Sequence, residues 1–383
     1  MRPLVILPGM PAPPEAAGAV LVRDLSVDGQ RWAKGRRLSD DDVASIGRPG
    51  VEVDPGPRGA GLPGARSSSG HTDELAAYQP PFTVLVLEPG DVHEDEAAHR
   101  LATAVAGPGI ELRGPVESRI DLVARDDGVL RVRAERVERI DRIDPLQLFT
   151  LYDGQAVARG QLVASVKIGP HAVSERLLER GLRVARARPP VVRVASFIER
   201  RVAAVVHETV RGLARDRFER GLEVRVRSLG SSLTAVLYAT DAVDVMDHLG
   251  RLTRGAERVD VVLTAGAAST DPTDPFFVAI ERLGGRVVRH GVPAHPGSMV
   301  WLARIRATDL LGLPTCGAYS RATAADLLLP RLLTGERVSS RMAASLGHGG
   351  VLIRAMRFRF PGYARELEAP VGGSWAGPTE AIE

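Results

Sequence analysis

The stretch VVLTAGAASTDPTDP, residues 261 to 275, is the most informative segment of this chain. It opens with residues suited to a buried β-strand and continues into a run of small and hydroxylated residues. Two aspartates follow, Asp271 and Asp274, and a proline comes after each of them. Small residues at the end of a buried strand are typical of parallel α/β sheets, in which ligands bind beyond the carboxyl ends of the strands. The stretch therefore predicts such a sheet, with a candidate site at its edge.

The sequence around this stretch alternates strand and helix patterns. The segments VAAVVHE, LTAVLYA and VDVVLT have the composition of buried strands. Between the first two, apolar residues recur at helical spacing, at Phe218, Leu222, Val226 and Leu229. Alternation of this kind predicts a mainly parallel sheet between two layers of helices. We therefore expect a three-layer α/β/α domain over residues 194–340, followed by a C-terminal tail over 341–383.

The first half of the chain is organised differently. Residues 1–47 predict a small N-terminal β/α segment whose helix is capped near Ser39. Residues 48–80 are dense in glycine, proline and serine, which indicates a linker or insert. Period-two patterns over residues 81–193 predict a smaller β-rich domain that precedes the α/β domain.

Two turn signals fall inside the β-rich domain. The dipeptide Asp127-Gly128 lies between two alternating segments, and this predicts a tight β-hairpin. Gly160 separates two further strand patterns in the segment YDGQAVARGQLVASVKI. We therefore expect a hairpin at Asp127-Gly128 and two further strands around Gly160.

The composition bounds the class of protein. A chain of 383 residues exceeds the usual size of one domain, so we expect two or three domains. Aromatic residues make up only 4% of the chain, so its cores must be aliphatic. No apolar run is long enough to cross a bilayer, and the N-terminus lacks the pattern of a signal peptide. We therefore expect a soluble, cytoplasmic protein with no membrane partner.

The charge pattern argues against nucleic acid as a partner. The formal net charge is +3, and basic residues alternate with acidic ones, as in RVRAERVERIDRIDP. Nucleic-acid binding requires a basic patch of one sign, often with aromatic residues on which bases stack. Mixed charges indicate solvated, ion-paired faces instead.

Two segments resemble known binding motifs in residue type but lack the spacing or the structural context that those motifs need. The segment from Gly59 to Gly64 has the spacing G-x-G-x-x-G, but no strand precedes it and Pro63 opposes a helix, so we expect a linker. His93 and His99 lie six residues apart, whereas two zinc-binding histidines on one helix face lie four apart. A solvated acidic helix start is the better interpretation of that segment.

The loop after the strand of the opening stretch is the strongest candidate site. Its small residues leave backbone N–H groups open, and its hydroxyl groups add donors, so it suits a phosphate. Asp271 and Asp274 would then hold a Mg²⁺ ion that bridges to the phosphate. The alternative is a plain turn in which Asp274 is a helix N-cap and Pro275 is the first helical residue. The spacing favours neither alternative.

Two further loops lie at the ends of predicted elements in the same region. They are Val292 to Ser298 and Gly312 to Ser320, and the second leads from a strand into a helix. Cys316 in the second loop is the only cysteine of the chain, which excludes an intrachain disulfide and any cysteine-cluster metal site. A small buried filler is its expected role, because no histidine is placed beside it to activate a nucleophile.

The three loops together resemble a known family. The series TAGAASTDPTD, VPAHPGSM and GLPTCGAYS resembles the molybdopterin-binding domain of molybdenum-cofactor biosynthesis proteins, over about residues 195 to 340. The segments LEPGDVHEDEAAHRLA, SVKIGPHAV and MAASLGHGGVL resemble the molybdopterin-binding half of fusions with a cofactor nucleotidyltransferase. The resemblance thus covers most of the chain.

The resemblance implies a set of site residues. Asp271 and Asp274 stand where the family has its acidic, magnesium-associated residues, which would be catalytic in an enzyme. Three positions depart from the family pattern: Ala265 replaces a glycine, His295 replaces a lysine, and Thr315-Cys316-Gly317 replaces Gly-Asn-Pro. The implied cofactor-binding residues are Thr264, Ala265, Gly266, Ala267, Ser269, Thr270, His295, Pro296, Gly297, Leu313, Pro314, Thr315 and Cys316.

The resemblance also implies a function and partners. The chain would bind molybdopterin or its adenylylated form, and if catalytic it would insert molybdate with the help of Mg²⁺, as a homodimer. One alternative is a carrier without catalysis that hands the cofactor to a molybdenum hydroxylase. Another is a nucleotide pyrophosphatase. The loss of a fixed positive charge at His295 favours binding over catalysis, because transition-state stabilisation depends on such charges.

Overall fold

The N-terminal part of the chain folds into two small antiparallel sheets. The computed structural model describes residues 1–48, 50–53, 81–207, 212–313 and 322–364. The sheets have the strand orders β1-β6-β2 and β4-β3-β5, and they share one buried core. The elements are β1 (Arg2–Ile6), β2 (Val20–Leu21), β3 (Leu25–Val27), β4 (Gln30–Trp32), α1 (Asp40–Ile46), β5 (Val51–Val53) and β6 (Phe82–Val86).

Helix α1 begins as its sequence predicts. The Ser39 hydroxyl accepts a hydrogen bond from the Asp42 N–H, and the Asp42 carboxylate accepts one from the Ser39 N–H. This reciprocal capping satisfies two backbone donors that the helix itself leaves unpaired. The predicted cap at Ser39 is confirmed.

The next part of the chain is rich in β-strands. Three sheets, with strand orders β12-β10-β15, β11-β13-β9-β8 and β14-β7, surround an aliphatic core that also contains α2 and α4. The elements are β7 (Asp91–His93), α2 (Glu94–Val105), β8 (Ile110–Val116), β9 (Arg119–Ala124), β10 (Gly128–Val132), α3 (Ala134–Asp141), β11 (Leu146–Thr150), β12 (Ala156–Val157), β13 (Leu162–Ile168), β14 (Ala172–Ser174), α4 (Glu175–Ala185) and β15 (Val192–Ser196).

The predicted hairpin at Asp127-Gly128 is wrong. The strands on either side of it lie in different sheets, because β9 pairs with β8 and β13 whereas β10 pairs with β12 and β15. Gly128 is a strand residue here. A Cβ atom on it would lie 2.3 Å from the Ala195 carbonyl oxygen, so the glycine allows a close approach of β15. The dipeptide signal was local, whereas the role of the glycine depends on a distant strand.

His93, at the start of α2, has a structural role. His93 is the N-cap of α2, and its Nδ1 accepts a hydrogen bond from the Asp95 N–H. Its Nε2 donates to the Gly35 carbonyl at 2.9 Å. Both ring nitrogens are therefore engaged, and three acidic residues occupy the first turn of α2, as the acidic helix start predicted.

The α/β domain contains one six-stranded sheet. Its strand order is β17-β16-β18-β21-β20-β19, and β17, β16, β18 and β21 are parallel. Strand β20 runs antiparallel to both of its neighbours, so β19 again points in the common direction. The elements are β16 (Arg201–Val206), α5 (Leu213–Arg227), β17 (Ser232–Tyr238), α6 (Ala242–Leu252), β18 (Val261–Ala265), α7 (Pro275–Arg282), β19 (Arg286–His290), β20 (Trp301–Ile305), β21 (Thr308–Gly312), α8 (Ala324–Leu333) and α9 (Ser340–Ala344).

Helices cover both faces of this sheet. Strand β16 buries side chains on both faces of the sheet. One core contains its Val202, Ala204 and Val206, and the other contains its Ala203 and Val205. Helices α5 and α8 pack on the first core, and α6 and α7 pack on the second. The expected three-layer α/β/α domain with a mainly parallel sheet, preceded by a β-rich region, is confirmed. Within the described residues, no helix is both long and apolar enough to cross a membrane.

A buried ion pair fastens α8 to α5. The Arg225 Nε lies 2.9 Å from the Asp326 Oδ1, and both side chains are almost fully buried. The hydroxyl of Tyr363 donates to the same oxygen, and the second Asp326 oxygen accepts from the N–H of Thr323 at the start of α8. Burial and the neighbouring Asp326 raise the pKa of Tyr363, so its hydroxyl keeps its proton and stays a donor.

A second charged cluster joins the β-rich region to the α/β domain. The guanidinium of Arg331 in α8 lies 3.5 Å from the Asp153 carboxylate, and Glu336 pairs with Arg131 and Arg193. Burial lowers the pKa of Arg331 to about 10, which still leaves it charged at neutral pH. Gly154 has a φ of 82° and lies directly against this guanidinium, where a Cβ would overlap it.

Removal of the Asp326 carboxylate should destabilise the whole α/β domain. In Asp326→Ala the buried Arg225 keeps its charge and loses this carboxylate, which costs about 3–5 kcal/mol in free energy of unfolding. Tyr363→Phe loses one hydrogen bond to a charged acceptor and should cost about 1.5–3 kcal/mol. Urea denaturation followed by circular dichroism measures both, and a loss below about 1 kcal/mol in Asp326→Ala would contradict the assigned role.

Candidate functional site

The carboxyl ends of β16 and β18 form the natural crevice of the sheet. The two strands are neighbours, but the helix after β16 packs on one face and the helix after β18 packs on the other. Such a switch point opens a crevice beyond the strand ends, where ligands of α/β sheets bind. The His207 N–H, just past β16, donates to the carbonyl of Ala265 at 2.9 Å. His207 therefore stands beside the first residues of the candidate loop.

The turn out of β18 needs one glycine. Gly266 has a φ of 87°, a conformation that residues with a Cβ rarely adopt. Ala265, in contrast, is the last residue of the strand, and its buried side chain belongs to the core beneath α5 and α8. Ala265, which stands where the family has a glycine, therefore packs in the core. The left-handed backbone conformation is adopted by the next residue, Gly266.

Asp274 organises the loop and caps α7. Its Oδ1 accepts a hydrogen bond from the Phe276 N–H at 2.9 Å, and its Oδ2 accepts one from the Ala268 N–H at 2.6 Å. The side chain is buried, and Pro275 is the first residue of the helix. Asp274 is therefore the N-cap of α7, whereas anion binding by the loop stays a prediction. Both carboxylate oxygens accept backbone hydrogen bonds.

Asp271 differs from Asp274 because it is exposed. Its Oδ1 accepts hydrogen bonds from the hydroxyl of Thr273 at 2.7 Å and from the Thr273 N–H at 2.8 Å. These two bonds lower the pKa of Asp271, so the carboxylate is ionised at neutral pH. Of the two aspartates, Asp271 is the one that can reach a ligand in solvent.

Open backbone donors remain in the loop. Among the described residues, the N–H groups of Gly266, Ala267 and Thr270 have no hydrogen-bond acceptor. The other side of the loop is held by His290, whose Nε2 bonds to the Ser269 carbonyl. A loop with its frame fixed and several N–H groups free can accept an anion without rearrangement.

The second loop lies at the same edge of the sheet, between β19 and β20. His295 is exposed, and its backbone pairs with Gly350 and Leu352 through two hydrogen bonds of 2.7 Å. The Pro296 carbonyl accepts from the Ala324 N–H at the start of α8. Gly297 is buried there, and a Cβ on it would lie 2.6 Å from the Ala324 nitrogen. The loop is therefore seated on the first turn of α8.

The third loop joins the same edge through its first residue. The N–H of Leu313 donates to the Thr264 carbonyl at 2.8 Å, which continues the pairing of β21 with β18. Pro314, Thr315 and Cys316 lie outside the described residues, so their predicted roles stay predictions. The chain is described again from Ala322, just before the capped start of α8.

Two buried polar groups lie in one row across the sheet, beneath these loops. Thr264, Gly312 and Trp301 lie opposite one another on three neighbouring strands. The Trp301 ring covers Gly312, where a Cβ would lie 2.1 Å from the indole. The Thr264 hydroxyl and the Trp301 N–H are buried, and neither has a partner in the described structure. Thr264 was predicted from the sequence, whereas three residues were not: Trp301 begins β20, His207 follows β16 and His290 ends β19 at this edge.

One comparison identifies the α/β domain. Residues 201–334 match the family model described as a probable molybdopterin binding domain. This part of the chain, about a third of its length, resembles that family. The match runs from β16 to α8, so the molybdopterin-binding domain includes every strand end that forms the crevice. The resemblance predicted from the three loops is confirmed for this region.

Other comparisons are more remote. The crystal structure of the molybdopterin biosynthesis moea protein from Pyrococcus horikosii is 18% identical, with a TM-score of 0.27, and covers 63% of this chain and 80% of that one. A NadC deletion mutant is 13% identical, with a TM-score of 0.14, and covers 49% of this chain and 78% of that one. Scores this low carry no argument about function. No curated protein sequence matches the chain.

Loss of the Asp274 carboxylate should loosen the first loop. Asp274→Ala removes the N-cap of α7 and the acceptor for the Ala268 N–H, which should lower the free energy of unfolding by about 1–2 kcal/mol. Asp271→Ala is the matched control in the same loop, and because Asp271 is exposed we expect a smaller loss. Urea denaturation of both variants tests the assignment, and equal losses would contradict it.

The Thr273 hydrogen bonds should set the pKa of Asp271. In Thr273→Ala the hydroxyl donor is gone, so the pKa of Asp271 should rise toward its ordinary value of 3.8. Because the pKa of Asp271 is lower in the folded than in the unfolded state, the ionised carboxylate stabilises the folded loop at pH values above the unfolded-state pKa. This contribution to stability disappears as the pH falls through the folded-state pKa. Carbon-detected NMR titration of Asp271 in both proteins measures the shift, and an unchanged pKa would show that the turn does not form.

Proposed function

We propose that the crevice at the ends of β16, β18 and β21 binds molybdopterin or its adenylylated form, and that the chain acts in molybdenum-cofactor biosynthesis. The match of residues 201–334 to the molybdopterin-binding family is the observation that carries this proposal. The geometry supports it, since the described parts of the loops that the family resemblance assigns to the ligand lie at one edge of the sheet.

The proposal places the phosphate of the ligand on the loop amides. The free N–H groups of Gly266, Ala267 and Thr270 are the donors, and the hydroxyl of Thr270 adds another. The N-terminus of α7 is a weaker site, because the Asp274 carboxylate already occupies it. The anion would therefore bind to the loop rather than to the helix end.

The proposal assigns any Mg²⁺ to Asp271. Magnesium in phosphate sites is held by one or two carboxylates together with phosphate oxygens and waters. Asp271 has an exposed carboxylate for this purpose, whereas the oxygens of Asp274 accept N–H donors. Bound there, the ion would neutralise phosphate charge, and Asp274 would act on it only by holding the loop in place.

Molybdate insertion is the catalytic form of the proposal. This chain would contribute positioning of the pterin and neutralisation of charge, without a covalent nucleophile. The second loop brings His295 to the edge where the family has a lysine, so it lacks a cation that is charged at every physiological pH. Binding and delivery of the cofactor without insertion is the simpler activity for this set of residues.

A charge introduced at Thr270 should separate ligand binding from folding. Thr270 is exposed, so Thr270→Asp should fold normally and weaken binding of molybdopterin about tenfold or more, because a carboxylate would lie beside the phosphate. Thr270→Asn is the isosteric neutral control and should bind as the wild type does. Binding of molybdopterin and of its adenylylated form is measured by fluorescence titration, with Asp271→Asn to test the magnesium dependence.

The same proteins decide whether the chain is an enzyme. Release of AMP from adenylylated molybdopterin, dependent on molybdate and Mg²⁺, would establish insertion. Binding without release would establish a carrier. If neither pterin form binds to the wild type, or if Thr270→Asp binds as tightly as Thr270→Asn, the proposed function is wrong.

A further inference from the structure

Four arginines line one cavity in the β-rich region, far in sequence from the crevice. The cavity is open to solvent, has a volume of about 400 Å³ and lies between α3 and α4, and its four arginines are exposed. Arg139 and Arg142 come from the end of α3, Arg180 and Arg183 come from α4, and the two remaining lining residues, Ile143 and Val184, are apolar. Arginines three residues apart lie on one face of a helix, so each helix presents a pair.

Most of these arginines have no acidic partner. Within the described part of the chain, the side chains of Arg139, Arg180 and Arg183 form no ion pair or hydrogen bond. Arg142 pairs with Glu138, but both side chains are more than 60% exposed, so this pair contributes little. The cluster thus carries several uncompensated charges of one sign.

Several other surface arginines pair with neighbouring acids, for example Arg100 with Glu175 and Arg215 with Glu219. A larger cavity beside α6 is lined by arginines but also by aspartates and a glutamate. The dipoles of α3 and α4 favour cations in their last turns, which accounts for Arg139 and Arg183 separately. They do not account for four arginines around one cavity.

We propose that this cavity is a binding site for a small oligophosphate, such as a free diphosphate or the phosphate chain of a nucleotide. The planar guanidinium group matches two phosphate oxygens at once, and several such groups favour an anion with more than one phosphate. The volume suits a small ligand. The lining has no aromatic residue on which a base could stack, so the phosphates are the recognised part.

Calorimetry at low salt tests the site with defined probes. Sodium phosphate, sodium diphosphate and ATP are titrated into the wild type and into Arg180→Ala/Arg183→Ala. The matched control is Arg251→Ala/Arg254→Ala, which removes two arginines at the same spacing from the mixed-charge cavity. Thr270→Asp is included because the proposed crevice would also accept phosphate, and that variant blocks only the crevice.

We expect saturable diphosphate binding in the wild type, in the control and in Thr270→Asp. When the crevice is blocked by Thr270→Asp, the affinity should fall about tenfold or more on addition of Arg180→Ala/Arg183→Ala, since charged hydrogen bonds are lost. Orthophosphate should bind more weakly than diphosphate, and ATP about as tightly as diphosphate if the phosphates alone are recognised. In the same Thr270→Asp background, thermal unfolding should show a rise in midpoint with diphosphate that is lost on addition of Arg180→Ala/Arg183→Ala.

Several outcomes would overturn the proposal. One is wild-type diphosphate binding that disappears in Thr270→Asp, which would place all of it in the crevice. Another is equal affinity in both double variants, which would indicate nonspecific attraction to a basic surface. A third is binding of a polyglutamate peptide without binding of diphosphate, which would make the cavity a docking site for an acidic protein.

Discussion

Burial of β18 on both faces is the constraint on which the α/β domain depends. All five residues from Val261 to Ala265 are buried, and their side chains enter two different cores. A strand in this position needs a hydrogen-bonded neighbour on each side and a layer of helices on each face. The polar backbone can then open to solvent only at the strand ends, so the loops at the carboxyl edge become the place where a ligand can meet N–H groups.

The two aspartates at the candidate crevice have different roles. Asp274 is buried and fastens the loop, while Asp271, three residues earlier, is exposed and ionised. A similar buried carboxylate, Asp326, holds the start of α8, on which the second loop rests. Rigid support of this kind matters because an anion site built from backbone amides works only if the loop keeps its shape without the ligand.

Features that depend on residues close together in the sequence were predicted correctly, whereas features that depend on distant contacts were not. The helix caps at Ser39 and the helical spacing around Phe218 were predicted well, since they involve residues within one or two turns. The role of Gly128 was predicted wrongly, because that glycine accommodates Ala195, which is far away in sequence. His207, Trp301 and His290 were missed for the same reason. Each stands near the crevice only because its strand joins this sheet.

The amino-acid sequence was sufficient to predict an α/β domain in the second half of the chain and its resemblance to the molybdopterin-binding family. Hydrophobic period, cap residues and the order of three loops are local or linear properties, so they can be read without coordinates. Only the tertiary structure decided which aspartate faces solvent, which glycine takes the left-handed turn, and that arginines from α3 and α4 meet around one cavity. Those outcomes depend on burial and on contacts between segments distant in sequence, which a linear pattern does not contain.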